Sequence, residues 1–341
     1  MAMTGDVLLH EPLWQAAATY GASSGRRYDF RPMFDRVRRV LASADLALCH
    51  LETPIDLDNA ALSSYPVFNV PWQIVPALRY AGYDACSTAS NHSLDAGHEG
   101  IVETIRGLES AGLEHAGTGR SRAQARRPAL IDVEGVKVAI LSYTYGTNGI
   151  PFPPGREGVV NLIDAERILR HARRTRRAGA EFVSVSLHWG LEYQTSPTED
   201  QRTLARRLLR SPAVDLIVGH HAHVVQPIGR VKGKFVIYGL GNFLANQSSS
   251  CCIAATQDGV IVTAKVTESA SGFEVRRIEY MPTWMELGRG VLTVSKSLSN
   301  ANTSPDVRSA LWESWRRTKA SLTSLNAKAP RVVASRRPPK R

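Results

Sequence analysis

The chain has 341 residues, of which 43% are hydrophobic and 21% charged, and its formal net charge is +11. This length suits one large α/β domain or two small ones. No window holds the roughly 18 apolar residues of a membrane span, and the N-terminus lacks the pattern of a signal peptide. We therefore expect a cytoplasmic protein without a transmembrane segment, and an upstream secretion or anchor segment stays open as an alternative.

Basic residues concentrate in three segments, 167–177, 202–210 and 319–341. Solvated helix faces and a disordered basic tail account for this distribution, so nucleic acid is not the expected partner. An acidic small molecule or polymer fits the charge better. The pattern says nothing about the oligomeric state. Cys49 and Cys86 lie in apolar runs and are interpreted as small core residues.

The first predicted elements bring two carboxylates to strand positions. Residues 2–9 form a predicted strand that contains Asp6, a helix is predicted over 30–43, and residues 45–52 form a second buried strand that ends in His50 and Glu52. A carboxylate among apolar residues is costly to bury unless it is paired or bound to a metal. We interpret both acids as metal ligands, and a plain loop-entrance carboxylate is the alternative for Glu52.

A second informative stretch follows a predicted helix over 71–82 and a predicted strand over 84–89. Asn91 and His92 stand at the end of that strand, and Asp95 and Gly97 precede a helix predicted over 101–111. An amide oxygen suits a hard cation, and the adjacent imidazole can donate a proton. Cap and turn roles are the alternative for Asn91 and Asp95.

The second half continues the alternation of strands and helices. Tyr143 and Tyr145 line a cleft or pack in the core, and Glu192 follows the strand that ends in His188. The predicted elements are a hairpin over 129–133 and 136–143, helices over 164–178 and 199–209, strands over 181–188, 234–243, 260–266 and 272–280, and a helix near 307–322.

The stretch 216–228 is an apolar run that delivers His220, His221 and His223 within four positions after Gly219. Packing gives little reason for three histidines together, whereas metal ligation does. Three separately satisfied histidines are the alternative. Of His220 and His221, we favour His221 as the ligand because its spacing places it on the same side as His223.

Five predicted strands thus end in acids, an amide and histidines. Ligands at the carboxyl ends of parallel strands meet at one edge of a sheet. Two divalent cations a few ångströms apart need a shared anionic oxygen, with nitrogen and amide ligands completing each shell. The acids, amide and histidines at the predicted strand ends supply this mixture of ligands.

The motifs resemble those of the CapA (poly-γ-glutamate capsule synthesis) family within the calcineurin-like metallophosphoesterase superfamily. The resemblance covers roughly residues 3–282. It is carried by Gly5-Asp6, Leu51-Glu52-Thr53-Pro54, Ser90-Asn91-His92-Ser93-Leu94-Asp95 with Gly97, Leu187-His188-Trp189-Gly190 with Glu192-Tyr193, Val218-Gly219-His220-His221-Ala222-His223-Val224 and Tyr238-Gly239-Leu240-Gly241-Asn242-Phe243.

This resemblance implies an α/β fold, a four-layer α/β/β/α sandwich, over residues 1–282. Residues 283–341 would be a partly helical extension with a basic, disordered tail. The expected cofactors are two divalent metal ions, Mn, Fe or Zn. The implied metal ligands are Asp6 and His223 on one metal, Asn91, His188 and His221 on the other, and Glu52 between them.

The implied function is that of a metal-dependent hydrolase, in which a metal-bound hydroxide attacks a phosphoester or a γ-glutamyl bond. His92, Asp95 and Glu192 are the expected catalytic residues. Two positions depart from the wider superfamily: Leu8 stands where a histidine is usual, with His10 as a poorly spaced substitute, and Glu52 stands where an aspartate is usual. The alternative is a non-hydrolytic accessory that binds a polyanion during polymer synthesis.

Overall fold

The computed structural model describes residues 1–270, 272–325 and 332–334. The predicted basic tail beyond residue 325 lies mostly outside the described residues. In the described chain the α-helices, numbered in order, are α1 Glu11–Ala22, α2 Arg38–Leu41, α3 Ile74–Ala81, α4 Gly97–Ser110, α5 Arg122–Ala125, α6 Ala165–Arg177, α7 Glu199–Leu209, α8 Val294–Leu298 and α9 Pro305–Thr323. Short 3₁₀ turns cover Arg31–Phe34 and Ala254–Gln257.

The strands of the described chain are β1 Ala2–Val7, β2 Ala47–Leu51, β3 Ile55–Asp56, β4 Val70–Pro71, β5 Ala85–Ser87, β6 Glu114–Ala116, β7 Ala129–Val133, β8 Val136–Thr144, β9 Phe182–His188, β10 Leu216–His220, β11 Ile228–Val231, β12 Lys234–Ile237, β13 Asn242–Leu244, β14 Asp258–Ser269, β15 Gly272–Glu286, β16 Gly290–Thr293 and β17 Val332–Ala334.

Two large sheets stack face to face. One has nine strands, in the order β16-β15-β14-β1-β2-β5-β6, with β13 paired to β1 and β17 to β15. The other has six, in the order β11-β12-β10-β9-β8-β7, and β3 pairs with β4 in a separate ribbon. The site-bearing neighbours, β1 with β2, β2 with β5, and β9 with β10, are all parallel, so their carboxyl ends lie at a common edge of each sheet.

Three buried apolar clusters separate the layers. One packs α1 and α3 against the outer face of the nine-stranded sheet. The second lies between the two sheets, and the third packs α6 and α7 on the outer face of the six-stranded sheet. The order helix, sheet, sheet, helix confirms the predicted four-layer α/β/β/α sandwich.

Several predicted elements were wrong in detail. The helix expected over 30–43 consists of a 3₁₀ turn and the single turn α2, and α1 was not predicted. The strand expected over 234–243 divides into β12 and β13, which belong to different sheets. Gly241, at φ +70° between them, has room for no side chain, because a Cβ would meet the Asp258 carbonyl oxygen at 2.6 Å.

Cys49 and Cys86 occupy paired positions on β2 and β5 and are buried in the core, as predicted. They are joined by a disulfide bond, which the sequence interpretation had not included. Cys251 and Cys252 are free.

The expected boundary after residue 282 falls inside β15. Residues beyond it continue the nine-stranded sheet through β16, and α9 contacts the domain through an ion pair between Arg317 and the buried Asp258 and a hydrogen bond from Ser321 to the Val225 carbonyl. Of the helices that the structure describes, none combines the length and the apolar character needed to cross a lipid bilayer.

Candidate metal centre

Two glycines allow the strands that carry the centre to approach other backbone. A Cβ on Gly5 would lie 1.8 Å from the Gly241 carbonyl oxygen, and one on Gly219 would lie 1.9 Å from that of Tyr238. Each glycine directly precedes a polar residue of the cluster, Asp6 or His220. The absence of a side chain therefore sets the position of both polar residues.

The carboxylate of Asp6 is buried at the carboxyl end of β1. Its Oδ1 accepts a hydrogen bond from Nδ1 of His220 at 3.0 Å, and its Oδ2 lies 3.2 Å from Nδ1 of His223. The backbone N–H of His221 also donates to Oδ2 at 3.2 Å. Burial alone would raise the pKa of Asp6, but the hydrogen bonds from the two imidazoles hold it well below its ordinary value.

Glu52 follows β2 and lies between two histidines of the opposite sheet. Its Oε1 is 3.7 Å from Nε2 of His188 and 3.8 Å from Nε2 of His223. Burial raises the pKa of Glu52 well above its ordinary value, and neither carboxylate oxygen has a hydrogen-bond partner among the described residues. A buried carboxylate without a donor is costly unless a cation binds it.

His188 joins the two halves of the cluster. Its Nε2 lies 2.6 Å from Oδ1 of Asn91, whose Nδ2 donates to Asn148. Its Nδ1 lies 2.9 Å from Nε2 of His50. Burial, with the nearby His221, keeps the pKa of His188 well below its ordinary value, so the imidazole is neutral, as a metal ligand must be.

His221 and His223 both have left-handed backbone, at φ 89° and 55°. Such conformations are strained for side-chain-bearing residues and are concentrated at functional sites. Burial lowers the pKa of His221 to about 3, and its Nδ1 is buried without a hydrogen-bond partner within the described chain. Burial by itself would lower the pKa of His223, but the carboxylates of Glu52 and Asp6 raise it to about 9.

Three groups of acidic and histidine side chains have ligand atoms within 4.8 Å of one another. They are Asp6 with Glu52 and His223, Glu192 with His221 and His223, and Asp6 with His50 and His220. The orphaned oxygens of Glu52, the orphaned Nδ1 of His221 and the mixture of carboxylate, imidazole and amide donors fit divalent transition metals.

His92 lies beside this cluster and is held by an acid. Its Nδ1 lies 2.7 Å from Oδ2 of Asp95, which also accepts the Phe68 backbone N–H at 2.7 Å. The Phe68 ring packs edge-on against the imidazole. Because Asp95 occupies Nδ1, Nε2 is the nitrogen left for a reacting group.

Some site residues were missed or only half seen in the sequence. His50 was noted at a strand end but not placed in the site, where it stacks on His220 with ring centroids 4.1 Å apart. Asn242, within a recognised motif, lies 3.0 Å from Nδ1 of His223 through its Oδ1 and so orients that ring. The sequence signal for Asn242 was its polar side chain within an otherwise apolar predicted strand.

The remaining predicted positions divide between site and core. Tyr145 packs on His221 with ring centroids 4.6 Å apart, whereas Tyr143 faces away and bonds to His171. Leu8, at the position of the missing histidine, is buried in the core. His10 lies nearby, and its Nδ1 accepts the backbone N–H of Asn246.

The two sheets of this four-layer sandwich converge on a buried cluster of histidines and carboxylates whose side chains could hold metal ions. A family model described as "Bacterial capsule synthesis protein PGA_cap" matches residues 1–247, and the chain belongs to this family. The resemblance identified from the sequence motifs is thereby confirmed.

Curated relatives carry related descriptions. The "Capsule biosynthesis protein CapA" of Bacillus anthracis is 29% identical over 72% of this chain and 60% of its own length. The "PGA biosynthesis protein CapA" of Bacillus subtilis is 26% identical, with 82% of this chain and 70% of the relative covered. A "Probable polyglutamine synthesis accessory protein" of Mycobacterium tuberculosis is 30% identical over 59% of this chain and 55% of its own. The chain thus spans 55 to 70% of the length of these three relatives.

Solved structures resemble the chain at lower identity. A 5′-nucleotidase precursor from Thermus thermophilus has a TM-score of 0.49 and 16% identity, and the match covers 94% of this chain and 59% of the precursor. The calcineurin-like phosphoesterase YfkN from Bacillus subtilis has a TM-score of 0.45 and 13% identity, with 93% and 97% covered. Family membership rests on the sequence match.

Proposed function

We propose that the protein is a metal-dependent hydrolase that cleaves a phosphoester or a γ-glutamyl or other amide bond in an acidic substrate, during capsule polymer synthesis or a related pathway. The observation that carries the proposal is the position of Glu52, a buried carboxylate with two orphaned oxygens between His188 and His223. Family membership supports the link to capsule polymers.

Two cations, Mn, Fe or Zn, are assigned to this centre. Asp6 and His223 would hold one, Asn91, His188 and His221 the other, and Glu52 would contact both. When bound, such cations lower the pKa of coordinated water and polarise the bond under attack. His220 is assigned to orienting Asp6, because its Nδ1 already donates to that carboxylate.

The chain's own groups supply the proton transfers. His92 donates the proton that the leaving group needs, and Asp95 fixes the imidazole for this role. Glu192 is exposed at the rim, close to His221 and His223, and accepts a hydrogen bond from the attacking water. Tyr145 covers the cluster and limits solvent access.

Metal analysis and turnover together test this proposal. The substrates are phenyl phosphate and γ-glutamyl anilide, which represent the two bond classes. His188→Ala should lose both metal and turnover, whereas His92→Ala should keep its metal and lose about a hundredfold or more in kcat. His98→Ala is the matched control, because His98 bonds to the Arg120 carbonyl and lies outside the cluster. Full metal occupancy without turnover of either substrate would contradict a hydrolase.

The second candidate is a non-hydrolytic accessory that binds an acidic polymer. It is favoured by the net charge of +11 and by the description of the mycobacterial relative as an accessory protein. In this case binding to poly-γ-glutamate would weaken with salt and survive His188→Ala. Binding that disappears together with the metal would instead favour the hydrolase.

A further inference from the structure

A cavity of about 200 Å³ opens on the outer face of the six-stranded sheet, beside α6. It is walled by four exposed arginines, and three buried polar side chains form its floor. The wall residues are Arg126, Arg167, Arg170 and Arg174, and the floor residues are Tyr143, Asn161 and His171.

The topology explains why the arginines converge. Arg167, Arg170 and Arg174 are spaced three and four residues apart on α6, so they form one stripe of that helix. Arg126 follows α5 and closes the opposite wall. The cavity is separate from the metal centre. Tyr143 packs in the apolar cluster on the outer face of the six-stranded sheet and is paired with Leu187 of β9. The next residue of β9, His188, has its side chain on the other face, in the cluster of histidines and carboxylates.

The charge in this cavity is not balanced by any carboxylate of the part of the chain that the structure describes. None of the four guanidinium groups forms an ion pair with a carboxylate within the described chain, and the cavity lining includes no acid. Elsewhere on the same helix, Arg176 does pair with Asp215. Like charges around one cavity repel, and a bound anion would relieve that repulsion.

The cavity floor offers a second, independent indication. His171 is 8% exposed, and its Nδ1 lies 2.6 Å from the hydroxyl of Tyr143. Among the described residues, its Nε2 is buried without a partner that meets hydrogen-bond geometry. Burial and the charge of Arg174 lower the pKa of His171 to about 4, and the Arg126 backbone only partly opposes this. The neutral ring therefore carries one proton, which is on Nε2 when the Tyr143 hydroxyl donates to Nδ1, and the Arg126 backbone is a poorly aligned neighbour that does not satisfy this donor.

We propose that this cavity is an oxyanion-binding site that takes a carboxylate or phosphate group, with the four arginines around the anion and Nε2 of His171 donating from below. Guanidinium groups match the planar, bidentate geometry of both anions. The volume is that of roughly six or seven water molecules, enough for one such group and a short attached chain. The site does not depend on the proposed hydrolase function.

The test compares two double variants of the full chain that remove equal charge from the same helix. Arg170→Gln with Arg174→Gln removes two positive charges from the cavity wall. Arg173→Gln with Arg177→Gln changes two exposed arginines of α6 that lie outside the cavity lining. Binding of inorganic phosphate, L-glutamate and a short γ-linked glutamate oligomer is measured by calorimetry at fixed ionic strength.

We expect the cavity pair to weaken binding at least about tenfold and the control pair less than twofold. Binding of phosphate alone would identify a phosphate group as the ligand, and binding of L-glutamate or the oligomer would identify a carboxylate. Addition of the bound anion should also shift the imidazole NMR signals of His171 in the wild type and not in the cavity pair. Equal weakening by both pairs, or no binding of any probe, would overturn the proposal.

Discussion

Nε2 of His50 lies 2.9 Å from Nδ1 of His188 in the buried space where the two sheets meet. His50 in turn contacts the Ser87 hydroxyl at 2.8 Å through its own Nδ1, and that hydroxyl donates to the Cys49 carbonyl. A ligating imidazole usually donates its second N–H to a neighbouring acceptor, which fixes its tautomer and orientation. His50 supplies this acceptor from the opposite sheet.

His50→Leu should therefore weaken metal binding by about 10- to 100-fold, since it removes the partner of His188 without removing any proposed ligand. Competition with a chromophoric chelator measures the affinity. The control is His115→Leu. It makes the same substitution on β6, at a histidine that lies near Glu109. Unchanged affinity in His50→Leu would show that His188 needs no support from β2.

The unpartnered oxygens of Glu52 imply that the metal-free fold carries a local cost at this residue. Glu52→Gln should increase the free energy of unfolding by about 1–2 kcal/mol in the presence of chelator, because a neutral amide is less costly to bury and can donate to the adjacent imidazoles. Added metal should stabilise the wild type more than the variant, which keeps the other proposed ligands but lacks the carboxylate that both cations would share.

Urea unfolding with and without chelator measures both effects. Glu99→Gln, at an exposed position of α4, is the control and should change neither value. A variant that is less stable than the wild type in chelator would mean that the carboxylate has a stabilising partner of its own.

Arg317 joins the C-terminal helix α9 to the nine-stranded sheet. Its Nε and Nη2 donate to the two oxygens of Asp258, at 2.7 and 2.9 Å, and the Asp258 side chain is 2% exposed. Arg317→Ala leaves that carboxylate buried without its cation, and the partial exposure of Arg317 moderates the loss. We expect a decrease of about 1–3 kcal/mol in the free energy of unfolding.

Chemical denaturation followed by fluorescence measures this decrease. The neighbouring exposed Arg316 provides the matched control, and Arg316→Ala should change stability by less than about 0.5 kcal/mol. If Arg317→Ala melts α9 alone and leaves the main unfolding transition unchanged, the extension is independent of the sheet, as a boundary after residue 282 would suggest.

His171 should make stability depend on pH between about pH 6.5 and 4. Burial and Arg174 hold the pKa of the folded imidazole near 4, below its ordinary value of 6.5. As the pH falls through this range, the unfolded chain gains a proton that the folded chain does not, so stability decreases. The groups that face the ring are Tyr143, whose pKa is raised by burial, and the positive charges of Arg126 and Arg174.

His171→Gln removes this contribution, which is on the order of 3 kcal/mol at full titration. Unfolding free energies at pH 7.5 and 4.5 should therefore differ less in the variant than in the wild type. His98→Gln is the control and should keep the wild-type difference. Parallel pH dependence in all three proteins would mean that His171 titrates near its ordinary pKa.

The strand ends were predicted well because buried parallel strands have a strong local signature, whereas the four layers were implied by the family resemblance. The sequence could not assign each strand to a sheet. The run from Lys234 to Phe243 is mostly apolar, yet the chain crosses from one sheet to the other at Gly239–Gly241. Only the packing of the two sheets distinguishes this crossing from one continuous strand.

Long-range contacts also explain what the sequence missed at the site. The position of His50 in the cluster depends on contacts with His188 and His220, 138 and 170 residues further along the chain. Likewise, α1 has no capping side chain at His10, and its buried face is small, so its local signal was weak. The roles of single ligands stay predictions.

The hydrogen bond between His92 and Asp95 makes a prediction about leaving groups. If His92 protonates the leaving group, its loss matters most for poor leaving groups, since a good one departs without a proton. His92→Ala should lower kcat about a hundredfold or more for phenyl phosphate and much less for p-nitrophenyl phosphate. Asp95→Asn should show the same ordering with a smaller loss, because the imidazole remains but loses its orienting carboxylate.

Steady-state kinetics on both esters, with metal content measured for each protein, distinguishes this role from a structural one. A variant that had merely lost its fold or its metal would lose the same factor on both substrates. Asp95 also accepts the Phe68 N–H, so Phe68→Leu, which keeps that backbone bond, controls for disturbed packing around the ring. Equal losses on the two esters in His92→Ala, with metal retained, would assign His92 to stabilising charge on the reacting group instead of donating a proton.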